Sequence, residues 1–233
     1  MKKTILLIFL IFLAGCAHMG TIKSQLNDET FQAENFPYRD LSVCVISDGS
    51  WPKESIETTI SDASNSMAEQ VGIRLRTDRW IDHPLPSFSP TQGLQSVAGT
   101  IGEDHPKCDL VIGFSSRGVF SHLLETAFWF AWLGAIDDNL RKFIIIKFLD
   151  ERVVIHEICH AFVFSKNHGI SGVLTAVPFK IPLLPVIFNL PKYVSREDRL
   201  EILTNKWRDF NEKPVIPERY QIDKIQVIES LGQ

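Results

Sequence analysis

The chain has 233 residues and a formal net charge of −4 at pH 7. It contains no basic run and no glycine-rich phosphate loop, which argues against a nucleic-acid partner. Its length suits one domain with a sizeable core, because domains mostly contain about 50–250 residues.

The N-terminal residues have the features of a secretion signal. Two lysines precede an apolar run over residues 5–13, which is too short to span a bilayer. The Leu-Ala-Gly-Cys sequence that follows resembles a bacterial lipobox, and this resemblance implies cleavage before Cys16 and a lipid on that cysteine. An ordinary cleaved signal with an incidental cysteine is the alternative.

The chain is therefore predicted to contain three regions. They are a signal peptide at residues 1–15, the lipidated Cys16 with a polar tether over residues 16–40, and a domain over residues 41–233. The lipid would anchor the mature chain to a membrane of the bacterial cell envelope. In a Gram-negative host this would be the outer membrane, because Ala17 rather than an aspartate follows the cysteine.

Hydrophobic patterning predicts strands and helices along the domain. Strands are predicted at residues 41–47, 73–81, 109–115 and 142–148. Helices are predicted at residues 53–70, 152–165 and 195–210. Residues 83–107 are rich in Pro, Ser and Gly and predict mostly loop. Residues 118–137 are the most apolar stretch after the signal, and core packing is favoured there over a membrane span or a substrate cleft.

An H-E-x-x-H motif lies in the predicted helix at residues 152–165. His156 and His160 are four residues apart, so they project from one helix face and are able to bind one Zn²⁺. Glu157 would act as general base towards a water whose pKa zinc lowers to about 7. The competing interpretation is a core helix whose histidines donate to backbone carbonyls.

The motif and the residues after it resemble the metzincin zinc proteases. Their motif runs H-E-x-x-H-x-x-G-x-x-H and precedes a turn with Met beneath the metal. Here Val163 stands at the Gly position, Lys166 at the third His position, and His168 two residues later. Residues 171–176 look like the Met-turn, with Leu174 where Met would stand.

This resemblance implies a fold and a ligand set. The fold is zincin-like and of the α+β class: a twisted mixed sheet, a long helix in the N-terminal half, the H-E-x-x-H helix, and a small C-terminal part that is mostly helical or irregular. The resemblance implies His156, His160 and His168 as the zinc ligands and Glu157 as the catalytic residue.

A carboxylate is the alternative third ligand. The gluzincins take a glutamate from a later helix, and Glu197 or Glu201 in the predicted helix at residues 195–210 would serve. The mixed charges of that helix are equally typical of a solvated surface. His168 is favoured over these carboxylates on the usual ligand sets of catalytic zinc.

Cysteine usage fits an exported protein. Cys44 and Cys108 would be able to pair in an oxidising compartment, but the sequence leaves open whether they do. Cys159, inside the H-E-x-x-H helix, is interpreted as a buried apolar residue.

The sequence thus predicts a zinc metalloendopeptidase that hydrolyses a peptide or protein substrate at the cell envelope, with Zn²⁺ as its cofactor. Two alternatives stay open. One is a zincin-like binding lipoprotein without turnover, which the displaced His168 and Leu174 motivate. The other is a zinc hydrolase that acts on cell-wall peptide.

Overall fold

A five-stranded sheet organises the part of the chain that the computed structural model describes, residues 37–86, 89–102, 108–116, 132–164, 172–175 and 191–217. Its strands are β1 (Arg39–Ser47), β2 (Ile73–Asp82), β3 (Leu110–Phe114), β4 (Gly134–Ile136) and β5 (Phe143–Ile146). Their order in the sheet is β2-β1-β3-β5-β4. Only β4 is antiparallel to its neighbour, so the sheet is mixed, as predicted.

Helices cover both faces of this sheet. They are α1 (Lys53–Val71), α2 (Pro90–Ile101), α3 (Glu151–His160) and α4 (Arg196–Thr204). Helices α1 and α3 share one hydrophobic cluster, and α2 belongs to a second cluster on the opposite face. The helices α1 and α2 each connect two parallel strands. Such β-α-β connections are typical of the α/β class, whereas the sequence predicted the α+β class.

The alternation of side chains along β1 explains the two clusters. Leu41, Val43 and Val45 point into the cluster under α1 and α3, while Cys44 and Ile46 point into the cluster under α2. All five residues are buried, as expected for a central strand covered on both faces. The four predicted strands and the helices at α1, α3 and α4 are confirmed. However, α3 ends at His160 rather than near residue 165, and α4 ends at Thr204 rather than near residue 210.

Helix α2 lies where the sequence predicted mostly loop. Its buried positions Gly93, Val97 and Ile101 follow a spacing of four, which places them on one face. A side chain at Gly93 would collide with Ile145 of β5 and come within 3.2 Å of the Pro86 carbonyl oxygen. The glycine that suggested a loop therefore allows close packing of the helix on the sheet.

A disulfide joins Cys44 to Cys108, with a Cα–Cα distance of 5.7 Å. Both residues are buried in the cluster beneath α2, and Cys159 is a buried free cysteine, as predicted. The predictions for the signal peptide, for Cys16 and for residues 118–131 fall outside the described residues, as does the tether up to residue 36. The predicted tether ended at residue 40, but β1 begins at Arg39, so the folded domain starts slightly earlier than predicted. Among the helices described, none is both long and apolar enough to span a bilayer.

Candidate metal centre

Helix α3 carries the H-E-x-x-H motif and begins shortly after β5. The Asp150 side chain caps it by accepting a hydrogen bond from the Arg152 amide at 2.9 Å. Its apolar residues Val154, Ile155 and Ile158 are fully buried. The helix is thus held inside the domain, and its polar motif residues are held with it.

The histidine His156 is oriented by the backbone. It is 9% exposed, and its Nδ1 lies 2.8 Å from the carbonyl oxygen of Val173. Since a carbonyl only accepts, this contact assigns the proton to Nδ1 and leaves the Nε2 lone pair available to a metal. A core helix without a metal was also expected to have a histidine that donates to a backbone carbonyl. This contact is therefore shared by the zinc-site and the core-helix interpretations.

The arrangement of the two histidines does fit a metal. The Nε2 atoms of His156 and His160 lie 3.2 Å apart. Two nitrogens that each lie about 2.0–2.1 Å from one tetrahedral zinc are roughly 3.3 Å apart. A hydrogen bond from His160 to His156 is the other explanation of this distance. Two ligands are present here, and in the described ranges no group of three or more candidate ligands occurs.

A tight turn lies beneath His156, where the sequence predicted one. Gly172 has φ +78°, and a Cβ there would lie 2.9 Å from both the Ser195 amide nitrogen and the Tyr193 carbonyl oxygen. The Val173 amide donates to that same Tyr193 oxygen at 2.7 Å. Leu174, at the position of the expected methionine, is 1% exposed.

Arg152 ties this turn to α3. Its guanidinium is buried and donates to the carbonyl oxygens of Thr175, at 2.8 Å, and Pro191, at 3.2 Å. Together with the contact between His156 and Val173, this gives two links between the helix and the turn. The sequence did not identify Arg152 as part of the site, although a charged residue in an apolar helix was a usable signal.

The acid of the motif, Glu157, is 6% exposed. Burial raises the pKa of Glu157 to about 8. A cation bound nearby would oppose that shift, because an opposite charge favours the ionised carboxylate. The strand β4 passes directly over it: a Cβ on Gly134 would lie 2.7 Å from Glu157 Cγ and 2.8 Å from its Oε1.

The candidate third ligands have different positions. His168 lies outside the described residues. Glu201 accepts a hydrogen bond from the Phe164 amide at 2.7 Å, so its carboxylate is engaged with the backbone. Glu197 is exposed on α4. The structure therefore brings together His156, Glu157 and His160, and the third ligand stays a prediction.

No protein-family model matches the sequence, and no curated protein matches it. Solved structures similar to the chain include archaemetzincin from Methanopyrus kandleri, at 18% identity and a TM-score of 0.48 over 72% of this chain and 97% of that one. They include metalloproteinase-II from Bacteroides fragilis, at 14% identity and 0.46 over 72% and 53%. A chain in a chaperone–substrate complex shares the fold at 10% identity and 0.51 over 76% and 35%. At these identities the similarity concerns the fold alone.

Proposed function

We propose that this protein is a zinc-dependent metalloendopeptidase. His156 and His160 would hold the metal, His168 would complete the protein ligands, and Glu157 would be the general base. The observation that carries the proposal is the convergence of the two Nε2 atoms, 3.2 Å apart, next to a buried carboxyl group. Zincin-like families use these residue types at this spacing for peptide hydrolysis.

The chemistry divides between the metal and the chain. Zinc supplies Lewis acidity, which lowers the pKa of a water to about 7 and polarises a carbonyl oxygen. The Glu157 carboxylate would accept the proton of the attacking water and then deliver it to the leaving amine nitrogen. The Val173 carbonyl would keep His156 in the tautomer that this requires.

The strand β4 supports a peptide as the substrate. Strand β4 lies at one edge of the sheet, next to β5, and within the described residues no strand pairs with its other side. An edge strand presents backbone groups that pair with an extended peptide. Because Gly134 contacts Glu157, a peptide bound along β4 would lie beside the general base.

A peptidase assay on the full chain tests this function. We expect cleavage of an unfolded protein, loss of cleavage after a chelator removes the metal, and recovery when Zn²⁺ is returned. Murein peptides in the same panel test the cell-wall alternative, which their preferred cleavage would favour. Absence of cleavage from a zinc-loaded protein across the panel would favour the binding lipoprotein.

The proposal includes an anchor on the bacterial cell envelope. Cys16 would carry the lipid, and the disulfide between Cys44 and Cys108 supports an oxidising compartment. Mass spectrometry of the mature protein from a bacterial host should find an N-terminal peptide that begins at Cys16 and carries acyl chains. A mature N-terminus elsewhere, without lipid, would contradict the anchor.

A further inference from the structure

The C-terminal end of α3 is held by side chains from distant parts of the chain. The last four carbonyls of a helix have no partner within it. At the end of α3 the carbonyls of Ile158 and Cys159 accept amides of the following turn. The carbonyl oxygens of His160, the last residue of the helix, and of the four residues after it, up to Phe164, each accept a hydrogen bond from a side chain. The donors are Arg141 to His160 (3.4 Å), Val163 and Phe164 (3.2 Å), Asn205 to Phe162 (2.5 Å), and Arg208 to Ala161 (2.7 Å).

Glu201 also binds this segment, but as a hydrogen-bond acceptor rather than a donor. Its Oε2 accepts the Phe164 amide at 2.7 Å, so both polar backbone groups of Phe164 are bound by side chains. We call Arg141, Glu201, Asn205 and Arg208 the carbonyl clamp. The clamp gives the Glu201 carboxylate, which the sequence analysis named as an alternative zinc ligand, a structural role as an acceptor for the Phe164 amide.

The clamp is itself fixed in place. Arg141 has φ +51°, in the left-handed region, directly after a turn in which Asp137 accepts the amides of Leu140, Lys142 and Phe143 at 2.7–2.8 Å. Arg208 also donates to the Leu140 carbonyl at 2.6 Å. The loop before β5 and the segment after α4 are thereby joined at the end of α3.

The clamp contains the buried Arg141 and the half-buried Arg208, and removing two like charges from water costs free energy. Burial lowers the pKa of Arg141, and burial together with the charge of Arg141 lowers that of Arg208 to about 10. The negative end of the helix dipole offsets part of this cost. Helices often end on a glycine with positive φ, but Val163 stands where the metzincin motif has one, and a β-branched residue disfavours that conformation.

The last turn of α3 carries His160, and terminal turns are the parts of helices that fray. Fraying would separate His160 from His156. We propose that the carbonyl clamp positions the metal ligand His160: it fixes the last turn of α3 and the segment up to Phe164, in place of a glycine. This inference rests on the proposed zinc site.

Zinc affinity of full-chain variants, measured by chelator competition, tests this proposal. Arg141→Ala and Arg208→Ala should each weaken zinc binding by about 10–100-fold, as loss of outer partners of metal ligands does. Arg141→Lys should lie between wild type and Arg141→Ala, because lysine keeps the charge but not the forked donors. Cobalt-substituted Arg141→Lys should also show an altered visible absorption spectrum.

The control is Val97→Ala, a core truncation in α2 on the other face of the sheet. It should lower the melting temperature and leave zinc affinity unchanged. Should the alanine variants not fold, Arg141→Lys and Asn205→Ala, which removes a single donor, carry the test. Native zinc affinity in the folded clamp variants would overturn the clamp and leave the zinc site standing, whereas a wild-type protein that binds no zinc would overturn both.

Discussion

Replacing Glu157 with glutamine is expected to leave zinc bound and to lower peptide turnover by roughly 10²–10⁴-fold, the usual contribution of a general base. Glutamine has the same shape and fits the same buried position, but its amide cannot accept the proton. His156 and His160 are unchanged, so the metal should stay. Steady-state cleavage rates and zinc content of the same preparation measure both effects.

The matched control is Glu69→Gln, the same change at an exposed glutamate on α1. It should keep native turnover. Cleavage at the native rate by Glu157→Gln would remove the general-base role. Loss of zinc from that variant would instead assign Glu157 to metal binding.

Adding a methyl group at Gly134 is expected to lower turnover by about 10²-fold, because a misplacement of about 1 Å costs that much at a reacting centre. The three atoms nearest to the added Cβ all belong to Glu157, at 2.7–3.0 Å. Gly134 is fixed by pairing with Ile146 of β5, so the carboxylate is the group that moves. Turnover of Gly134→Ala should fall while its zinc content stays native.

Ala135→Gly serves as the control for this variant. Ala135 is next along β4, and its side chain packs in the cluster on the opposite face of the sheet. It should retain native turnover even if the domain is somewhat less stable. Native turnover in Gly134→Ala would show that the carboxylate does not need the space that this glycine leaves.

The elements that the sequence predicted are those whose pattern is local. Apolar residues at helical spacing identified α1, and a spacing of four identified His156 and His160 as neighbours on one helix. Strand β3 is a continuous apolar run, which is typical of a strand buried on both faces. Each of these signals lies within the element that it predicts.

The features that the sequence missed depend on contacts between distant residues. Helix α2 was hidden because Gly93 resembles a loop residue until Ile145 is seen against it. The approach of Gly134 to Glu157 follows from the pairing of β4 with β5 and has no local signal. Arg208 lies 47 residues from the Ala161 carbonyl that it binds, so no pattern in the sequence links them.

One distance supports two interpretations of the site. With zinc, the 3.2 Å between the Nε2 atoms is the separation of two ligands of one ion. Without zinc, it is a hydrogen bond between two imidazoles in a buried helix. The hydrogen-bond interpretation gives no role to the buried carboxyl group of Glu157 or to the close approach of Gly134. In the zinc-site interpretation Glu157 is the general base, and Gly134 leaves the space that its carboxylate needs.

Zinc content of the purified full chain is the most direct test of this account. Elemental analysis after zinc reconstitution should find about one ion per chain in the wild type, and His160→Ala should lose it because two converging ligands are needed. Loss in His168→Ala would identify the third ligand as the histidine, because Glu201→Ala, which removes a member of the carbonyl clamp, should weaken zinc binding but keep the ion at saturating zinc. Native zinc content in His168→Ala, with complete loss in Glu201→Ala even at saturating zinc, would favour the glutamate. A wild-type chain that holds no zinc after reconstitution would contradict the central claim.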